Sequence, residues 1–309
     1  MKYSFLLPAY KSKFLEQTID SILSQTFVDF KLLISDDCSP DDIYGVVSPY
    51  LSDSRVTYRR NETNLGGRDL VAHWNLLVDL CDTDYFVLAS DDDLYSPAFL
   101  EEINKLVLRY PDVNMYYART NIIDSSNRLL HEDFEYPELM QFEPFIETFM
   151  YPNAILCMSN CVFKRIGFIQ RGRFVNFPLA WKSDSATKIR ESFCGVAITK
   201  TQLFSFRVSG INISCQSGKS QSIDEKKFNA TYLFGQWLKS FLLDTLKYKN
   251  ITNKLAPVYL RLDGEIRTYF WAVSLKNMLH TFSSMRKNGW FTKTRTRVSF
   301  IISWLKSRI

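Results

Sequence analysis

From Tyr3 to Thr120 the chain alternates short apolar runs with stretches whose apolar residues recur at helical spacing. Tyr3 to Leu7 is a run of the buried-strand type, stopped by Pro8. Leu15, Ile19, Ile22 and Leu23 then recur at helical spacing behind Ser12, a residue suited to cap a helix. Phe30 to Ser35 predicts a second strand, ending in Asp36 and Asp37. Ser39, Pro40, Asp41 and Asp42 read as an N-cap, a proline at the first helical position and acids on the helix dipole. Val56 to Arg60 predicts a third strand, and the polar turn Asn61 to Gly67 leads into a helix from about Asp69 to Cys81. A fourth strand starts at Tyr85, a helix covers Pro97 to Arg109, and Asn114 to Arg119 is a fifth strand. This order specifies an α/β fold, a mostly parallel, Rossmann-like sheet with helices on both faces.

Sheets of that kind bind ligands at the carboxyl ends of their strands. Pro8, Asp37 and the run Asp91, Asp92, Asp93 all fall there. Strand alternation sends Asp91 and Asp93 to one side, where two carboxylates repel unless a cation sits between them. A hard divalent ion, Mn²⁺ or Mg²⁺, takes oxygen ligands of this kind. The alternative is a solvated acidic turn before the helix that Ser96 and Pro97 begin.

Beyond Thr120 the alternation stops. Ile122 to Leu130 reads as a hairpin around Ser125, Ser126 and Asn127, and Glu132 to Pro152 as irregular. Pro178, Trp181 and Asp184 precede another helix, and Val196 to Val208 is extended. From Ser222 the pattern is helical, opened by a capping box, Ser222 to Glu225; Phe228 to Leu242 suits one helix and Tyr259 to Met285 another. The division expected is an α/β domain over 1–215, holding the acidic strand edge, and a helical extension over 216–309. The six cysteines are scattered without a zinc spacing, and no run reaches the roughly 18 apolar residues of a membrane span. With no leader pattern at the N-terminus, a cytoplasmic protein with reduced thiols is expected. The net charge of +5 is uneven: Arg286, Lys287, Lys293, Arg295, Arg297, Lys306 and Arg308 close the chain without an acid among them. With Trp290, Phe291 and Trp304 nearby, this tail suits peripheral attachment to an anionic membrane surface. A final helix packed on the domain with a solvated basic face fits the same pattern.

Five motifs occur in order: Pro8-Ala9-Tyr10, Ile22 to Phe27, Ser35-Asp36-Asp37-Cys38-Ser39, Asn64-Leu65-Gly66-Gly67, and Ser90 to Asp93. Together they resemble the family-two glycosyltransferases with the GT-A fold, which transfer a sugar from a nucleotide-sugar with inversion. The resemblance covers residues 2 to 120 and thins through Trp181 to Asp184 and Phe206 to Ser209. It implies that Pro8, Ala9 and Tyr10 shape the turn over the nucleotide and that Asp37 accepts the imide N–H of a uracil-type base. Helix capping is the alternative for Asp37. Arg68 would pair with the diphosphate or be a surface charge. Asp91 and Asp93 would hold the Mn²⁺ or Mg²⁺ ion and Asp92 would contact ribose or sugar. Asp184 stands where the family places the general base, with Glu191 next in line and helix capping as its alternative. Trp181 would stack on the acceptor sugar. Relatives often carry Arg-x-His where this chain has Arg207-Val208-Ser209, which leaves metal binding to carboxylates and donor. Cysteine also replaces the common glycine or asparagine at Cys38, read as a small packing residue.

The resemblance therefore implies a UDP-linked nucleotide-sugar donor and a glycan or lipid-linked acceptor in surface polysaccharide synthesis, with no nucleic acid as partner. Two rivals remain. A sugar-nucleotide nucleotidyltransferase shares the sheet but wants a glycine-rich basic loop where Pro8 to Ser12 stands. A non-catalytic nucleotide-sugar-binding module would keep Asp37 and the acid run yet tolerate loss of Asp184.

Overall fold

The computed structural model describes residues 1–148, 157–210, 217–218, 220–246, 251–287, 301–302 and 304–307. Strand β1, Tyr3–Ala9, buries successive residues on both faces, as a central parallel strand must. It lies between β2, Phe30–Asp36, and β4, Tyr85–Leu88, with β3, Val56–Arg60, outside β2. All three pairings are parallel. Further β strands are β5, Leu94–Tyr95; β6, Met115–Ile123; β7, Leu129–Glu132; β8, Leu139–Met140; β9, Cys161–Lys164; and β10, Val196–Arg207. The sheet runs β3-β2-β1-β4-β9-β6-β10-β5, with β7 on β6 and β8 on β10. Strand β9 is antiparallel to both β4 and β6, so the sheet is parallel on one side and mixed on the other.

Helix α1, Leu15–Leu23, buries Leu15, Thr18, Ile19 and Ile22, one stripe at helical spacing. Short α2 is Ile43–Val47, and α3, Gly66–Leu80, breaks at Asp69. Asp69 accepts the Ala72 N–H at 3.0 Å, so the regular part of α3 starts where the sequence predicts. Helix α4, Phe99–Arg109, buries Phe99, Leu100, Ile103, Leu106 and Val107. Phe5 meets Phe30, Tyr95 and Phe99 on that face, while Phe86 packs among Phe163, Phe168 and Phe174 on the other. After α5, Phe142–Thr148, and α6, Arg165–Gln170, comes α7, Ser183–Glu191.

Several caps sit elsewhere than expected. Ser12 binds Asp41 through both its N–H and its hydroxyl, and α1 starts three residues later without a side-chain cap. Asp42, not Ser39, caps α2 by accepting the Gly45 N–H. Ser12 is held by a partner distant in the chain, while the Ser39 hydroxyl donates to Tyr10 O and accepts the Asp41 N–H, one turn ahead of the α2 cap.

The chain divides into one unit of residues 1–175 and 187–210 and a second of 176–186 and 211–309. The second contains α8, Gln221–Leu246; α9, Ile251–Thr268; and α10, Leu275–Lys287. The expected box at Ser222 is displaced, because α8 already begins at Gln221 and buried Asp224 instead accepts the Gly218 N–H and the Trp271 indole N–H. The long helix read over Tyr259 to Met285 is two, parted by a turn at Phe270–Ala272, with Ser274 accepting the Asn277 N–H at the start of α10. Most of the basic tail, 288–300, lies outside the described residues. Among the described residues no helix is long and apolar enough to cross a membrane.

Cys38 is held at φ 54°, the left-handed region that explains why glycine or asparagine suits this position. We expect Cys38→Asn to melt at or above the parent temperature and Cys38→Val to lose about 1–2 kcal/mol, because a β-branched residue is strained there. Equal stability of the valine and asparagine variants in urea unfolding would contradict this.

Candidate active site

The parallel registers Pro8 to Ser35 and Ala9 to Asp36, and Leu6 to Leu88, bring the ends of β1, β2 and β4 to one edge. Three chain turns leave that edge together. Asp91 Oδ2 accepts the N–H groups of Tyr10, at 3.0 Å, and Lys11, at 2.8 Å, and so ties the Pro8-Ala9-Tyr10 turn to the acidic turn. Burial pushes the Asp91 carboxyl above its usual range, against the pull of these two N–H groups. The β1 turn is also held by β2: Asp37 N–H donates to Ala9 O, and the Ser39 hydroxyl to Tyr10 O.

At the end of β2, Asp36 is fully buried and accepts from Ser39 N–H, Tyr58 hydroxyl and the Arg60 guanidinium. Asp37 is equally engaged. Its Oδ1 accepts from Asn61 Nδ2 at 2.8 Å and Leu65 N–H at 2.9 Å; its Oδ2 accepts from Gly66 N–H at 2.6 Å and lies 3.5 Å from His73 Nδ1. The carboxylate thus holds the glycine turn that opens α3. Arg68 is exposed on that turn.

Strand β4 ends at Leu88, three residues before Asp91, and Asp91 and Asp92 form a turn. Strand alternation therefore does not aim Asp91 and Asp93 to one side. Asp93 Oδ1 accepts the Arg207 N–H at 2.9 Å, and Thr18 hydroxyl donates to Asp93 O. Asp92 is bracketed by hydroxyls: Ser90 donates at 2.7 Å and Ser209 at 3.3 Å. Burial, then the charges of Asp92 and Asp91, push the Asp93 carboxyl well above its usual range. Fully buried Arg207 donates to Asp92 O at 2.6 Å and to Gln17 and Asn127, and stacks 4.3 Å from the Phe14 ring centre. Among the described residues no three His, Cys, Asp or Glu side chains form a ready metal cluster. The donor set nonetheless fits a hard divalent ion: carboxylate and hydroxyl oxygens only, with negative charge crowded out of water.

Trp181 and Asp184 belong to the second unit. The Trp181 indole donates to Glu265 at 3.0 Å, and Lys227 Nζ lies 4.3 Å from its ring centre, covering one face of the ring proposed to stack on a sugar. Leu179, Ala180 and Lys182 around it all have positive φ. Asp184 is in the first turn of α7, inside the helix and so not its cap, where the dipole favours a carboxylate. Glu191, the reserve base, is fully buried between Arg171 and Arg190 and is committed to them.

Sequence reasoning missed His73 beneath Asp37, and Tyr58 and Arg60 on Asp36; nothing in local spacing signals these contacts. Arg207 it met only as part of a departed motif.

The model of the family described as Glycosyl transferase family 2 matches residues 4–171, just over half of the 309 residues. An uncharacterized glycosyltransferase of Haemophilus influenzae is 26% identical over 172 residues, 55% of each chain. The chain spans about half or less of the length of the curated relatives it matches. Among solved structures, S. aureus TarS 1–349 in complex with UDP-GlcNAc is similar at TM-score 0.59 and 13% identity, covering 93% of this chain and 85% of that one. The mannosyltransferase PcManGT of Pyrobaculum calidifontis, in complex with GDP-Man and Mn²⁺, is similar at TM-score 0.55 and 14% identity, covering 99% of this chain and 85% of that one. The strand edge that gathers Asp37 and the Asp91 to Asp93 turn is thus a GT-A edge, and the chain belongs to glycosyl transferase family 2.

Proposed function

We propose that this glycosyltransferase moves a sugar, with inversion, from a UDP-linked donor to a hydroxyl of a glycan or lipid-linked acceptor in surface polysaccharide synthesis. The observation that carries this reading is the convergence of the β1 turn, Asp37 and the acidic turn at one strand edge in a family-two chain. The complexes of TarS with UDP-GlcNAc and of PcManGT with GDP-Man support a nucleotide-sugar donor. A thermal-shift screen of nucleotide-sugars with Mn²⁺ or Mg²⁺ tests it, UDP-sugars being expected to stabilise the fold most.

In this scheme Pro8, Ala9 and Tyr10 form the turn over the nucleotide, Asp37 accepts the base N–H, and Arg68 pairs with the diphosphate. Mn²⁺ or Mg²⁺, expected from the sequence on Asp91 and Asp93, would be held by Asp93 with Asp92 beside it, since Asp91 Oδ2 already takes two N–H groups of the β1 turn. A bound ion supplies positive charge that stabilises the departing nucleotide diphosphate. Ser90 and Ser209 orient the Asp92 carboxylate. Asp184 takes the proton of the acceptor hydroxyl as it attacks the anomeric carbon, and Trp181 lines the acceptor side.

Three outcomes follow. Asp92→Asn should lose about tenfold or more of its divalent-dependent affinity for the UDP-sugar with an unchanged melting temperature, and EDTA should act likewise on the parent. Full donor binding in EDTA would remove the ion from the scheme. Asp184→Asn should lower kcat by about 10²–10⁴-fold with donor affinity and melting temperature retained; near-parent turnover would dismiss Asp184 as base. For the tail, deletion of 286–309 should release the protein from anionic vesicles, and salt should weaken the full chain's binding. Indifference of the full chain to such vesicles at low salt would leave the tail a structural role.

A further inference from the structure

The sheet-facing side of α3 carries an imidazole that the scheme above leaves unused. His73 is 1% exposed and lies one turn before buried Leu77 on the same helix face. Its Nε2 lies 3.0 Å from Ser35 Oγ, in β2, and its Nδ1 lies 3.5 Å from Asp37 Oδ2, just past the end of that strand. One ring therefore spans two residues of the same strand end.

The chemistry of the partners sets the tautomer. An ionised carboxylate only accepts, so the nitrogen facing Asp37 must be the one that carries hydrogen. A neutral imidazole has a single N–H, which makes Nε2 the acceptor and the Ser35 hydroxyl the donor. Burial favours that neutral ring, as does Arg59, against the opposing pull of Asp37. Ser35 is itself fully buried, so its hydroxyl holds the ring orientation rather than exchanging with water.

Asp37 needs such support. Its hydrogen-bond donors, Asn61 Nδ2 and the N–H groups of Leu65 and Gly66, come from the polar turn that opens α3, and the His73 ring faces it at 3.5 Å. His73 comes from the regular part of the helix, past the break at Asp69. It is thus a contact from the packed body of the helix, where the others belong to a turn that opens toward the ligand edge. A carboxylate that discriminates a uracil-type base from a cytosine-type one must present its oxygen to an imide N–H; a base with a ring nitrogen lone pair there is repelled. Small rotations of the carboxylate weaken that choice, because hydrogen bonds fall off steeply with angle.

We propose that His73, locked by Ser35, is a positioning residue that orients the Asp37 carboxylate for recognition of a nucleobase imide N–H. The inference rests on the reading of Asp37 as the base acceptor.

The test uses two substitutions that keep one half of the bridge each. Asparagine carries its amide nitrogen as many bonds from Cα as imidazole Nδ1, and glutamine as many as Nε2. His73→Asn preserves a donor toward Asp37, and His73→Gln preserves the contact with Ser35. We expect calorimetric titration to show UDP affinity within about threefold of the parent for His73→Asn and a loss of about tenfold for His73→Gln. The preference for UDP over CDP should fall in parallel with that loss. A residue that merely fills space would treat the two alike, so equal UDP affinities for these variants overturn the proposal. Should His73→Gln fail to fold, Ser35→Ala replaces it. That change frees the ring while leaving it in place, and it should lower the UDP over CDP preference by a similar factor; an unchanged preference overturns the proposal. Asp37→Asn separates the two layers. If it keeps the parent preference, Asp37 is not the base acceptor and both readings fall. If it loses the preference while His73→Gln keeps it, only the role of His73 falls.

Discussion

Five carboxylates, Asp36, Asp37, Asp91, Asp92 and Asp93, are taken out of water at the end of three parallel strands, and the structure around them is what makes that tolerable. An ionised group buried without partners costs several kcal/mol, so each must be met by donors. About half of the donors are backbone N–H groups of the segments that meet at this edge: Tyr10 and Lys11 on Asp91, Ser39 on Asp36, Leu65 and Gly66 on Asp37, Arg207 on Asp93. The acids therefore order the loops, and the loops in turn aim the acids. A ligand site built this way is assembled before ligand arrives, because its walls are the partners its charges require.

The carboxylates are not equivalent once their partners are counted. Asp36 is neutralised by Arg60 and reads as structural. Asp91 joins two turns, and Asp93 joins the acidic turn to the end of β10. Asp92 instead meets two hydroxyls, which orient a carboxylate without neutralising it. Arg207 stands among them, but much of its guanidinium is spent on Asp92 O, Gln17 and Asn127. Negative charge is crowded at this edge, and the Asp93 carboxyl is raised first by burial and then by the charges of Asp92 and Asp91. The divalent ion proposed for this edge would offset part of that charge.

The second unit solves a similar problem in another way. Asp224 takes the Gly218 N–H and the Trp271 indole, and Glu265 takes the Trp181 indole and Lys182. Two indole N–H groups and a lysine, together with one loop N–H from Gly218, satisfy these acids. Trp181 is thereby held in a fixed orientation within a segment whose backbone is strained at three neighbouring positions. Strain of that kind persists only where the surroundings determine it, and it is consistent with a segment that presents side chains rather than one that merely connects helices.

The parallel half of the fold was legible in the sequence because its signals are local. Apolar runs such as Tyr3 to Leu7 and the stripe Leu15, Ile19, Ile22 are short-range patterns, and the order of strand and helix restricts the sheet to few topologies. The same locality put Asp37 and the acid run at strand ends. Of the mixed half, β6, its hairpin with β7 and the extended β10 were legible, but β5 and β8, of two residues each, and β9, of four, were not. Nor did spacing decide where polar side chains go. Ser12 was as good a local cap as Ser39, yet Asp41 holds Ser12 from across the edge, while Ser39 keeps the local Asp41 N–H and also reaches Tyr10 O. The roles of Asp91, Asp92 and Asp93 depended on a strand that stops at Leu88 rather than running into them. Composition and periodicity determined which elements form and which acids reach the edge. Only tertiary structure decided what each acid does there, because a buried charge takes its function from donors that lie tens of residues away in the chain.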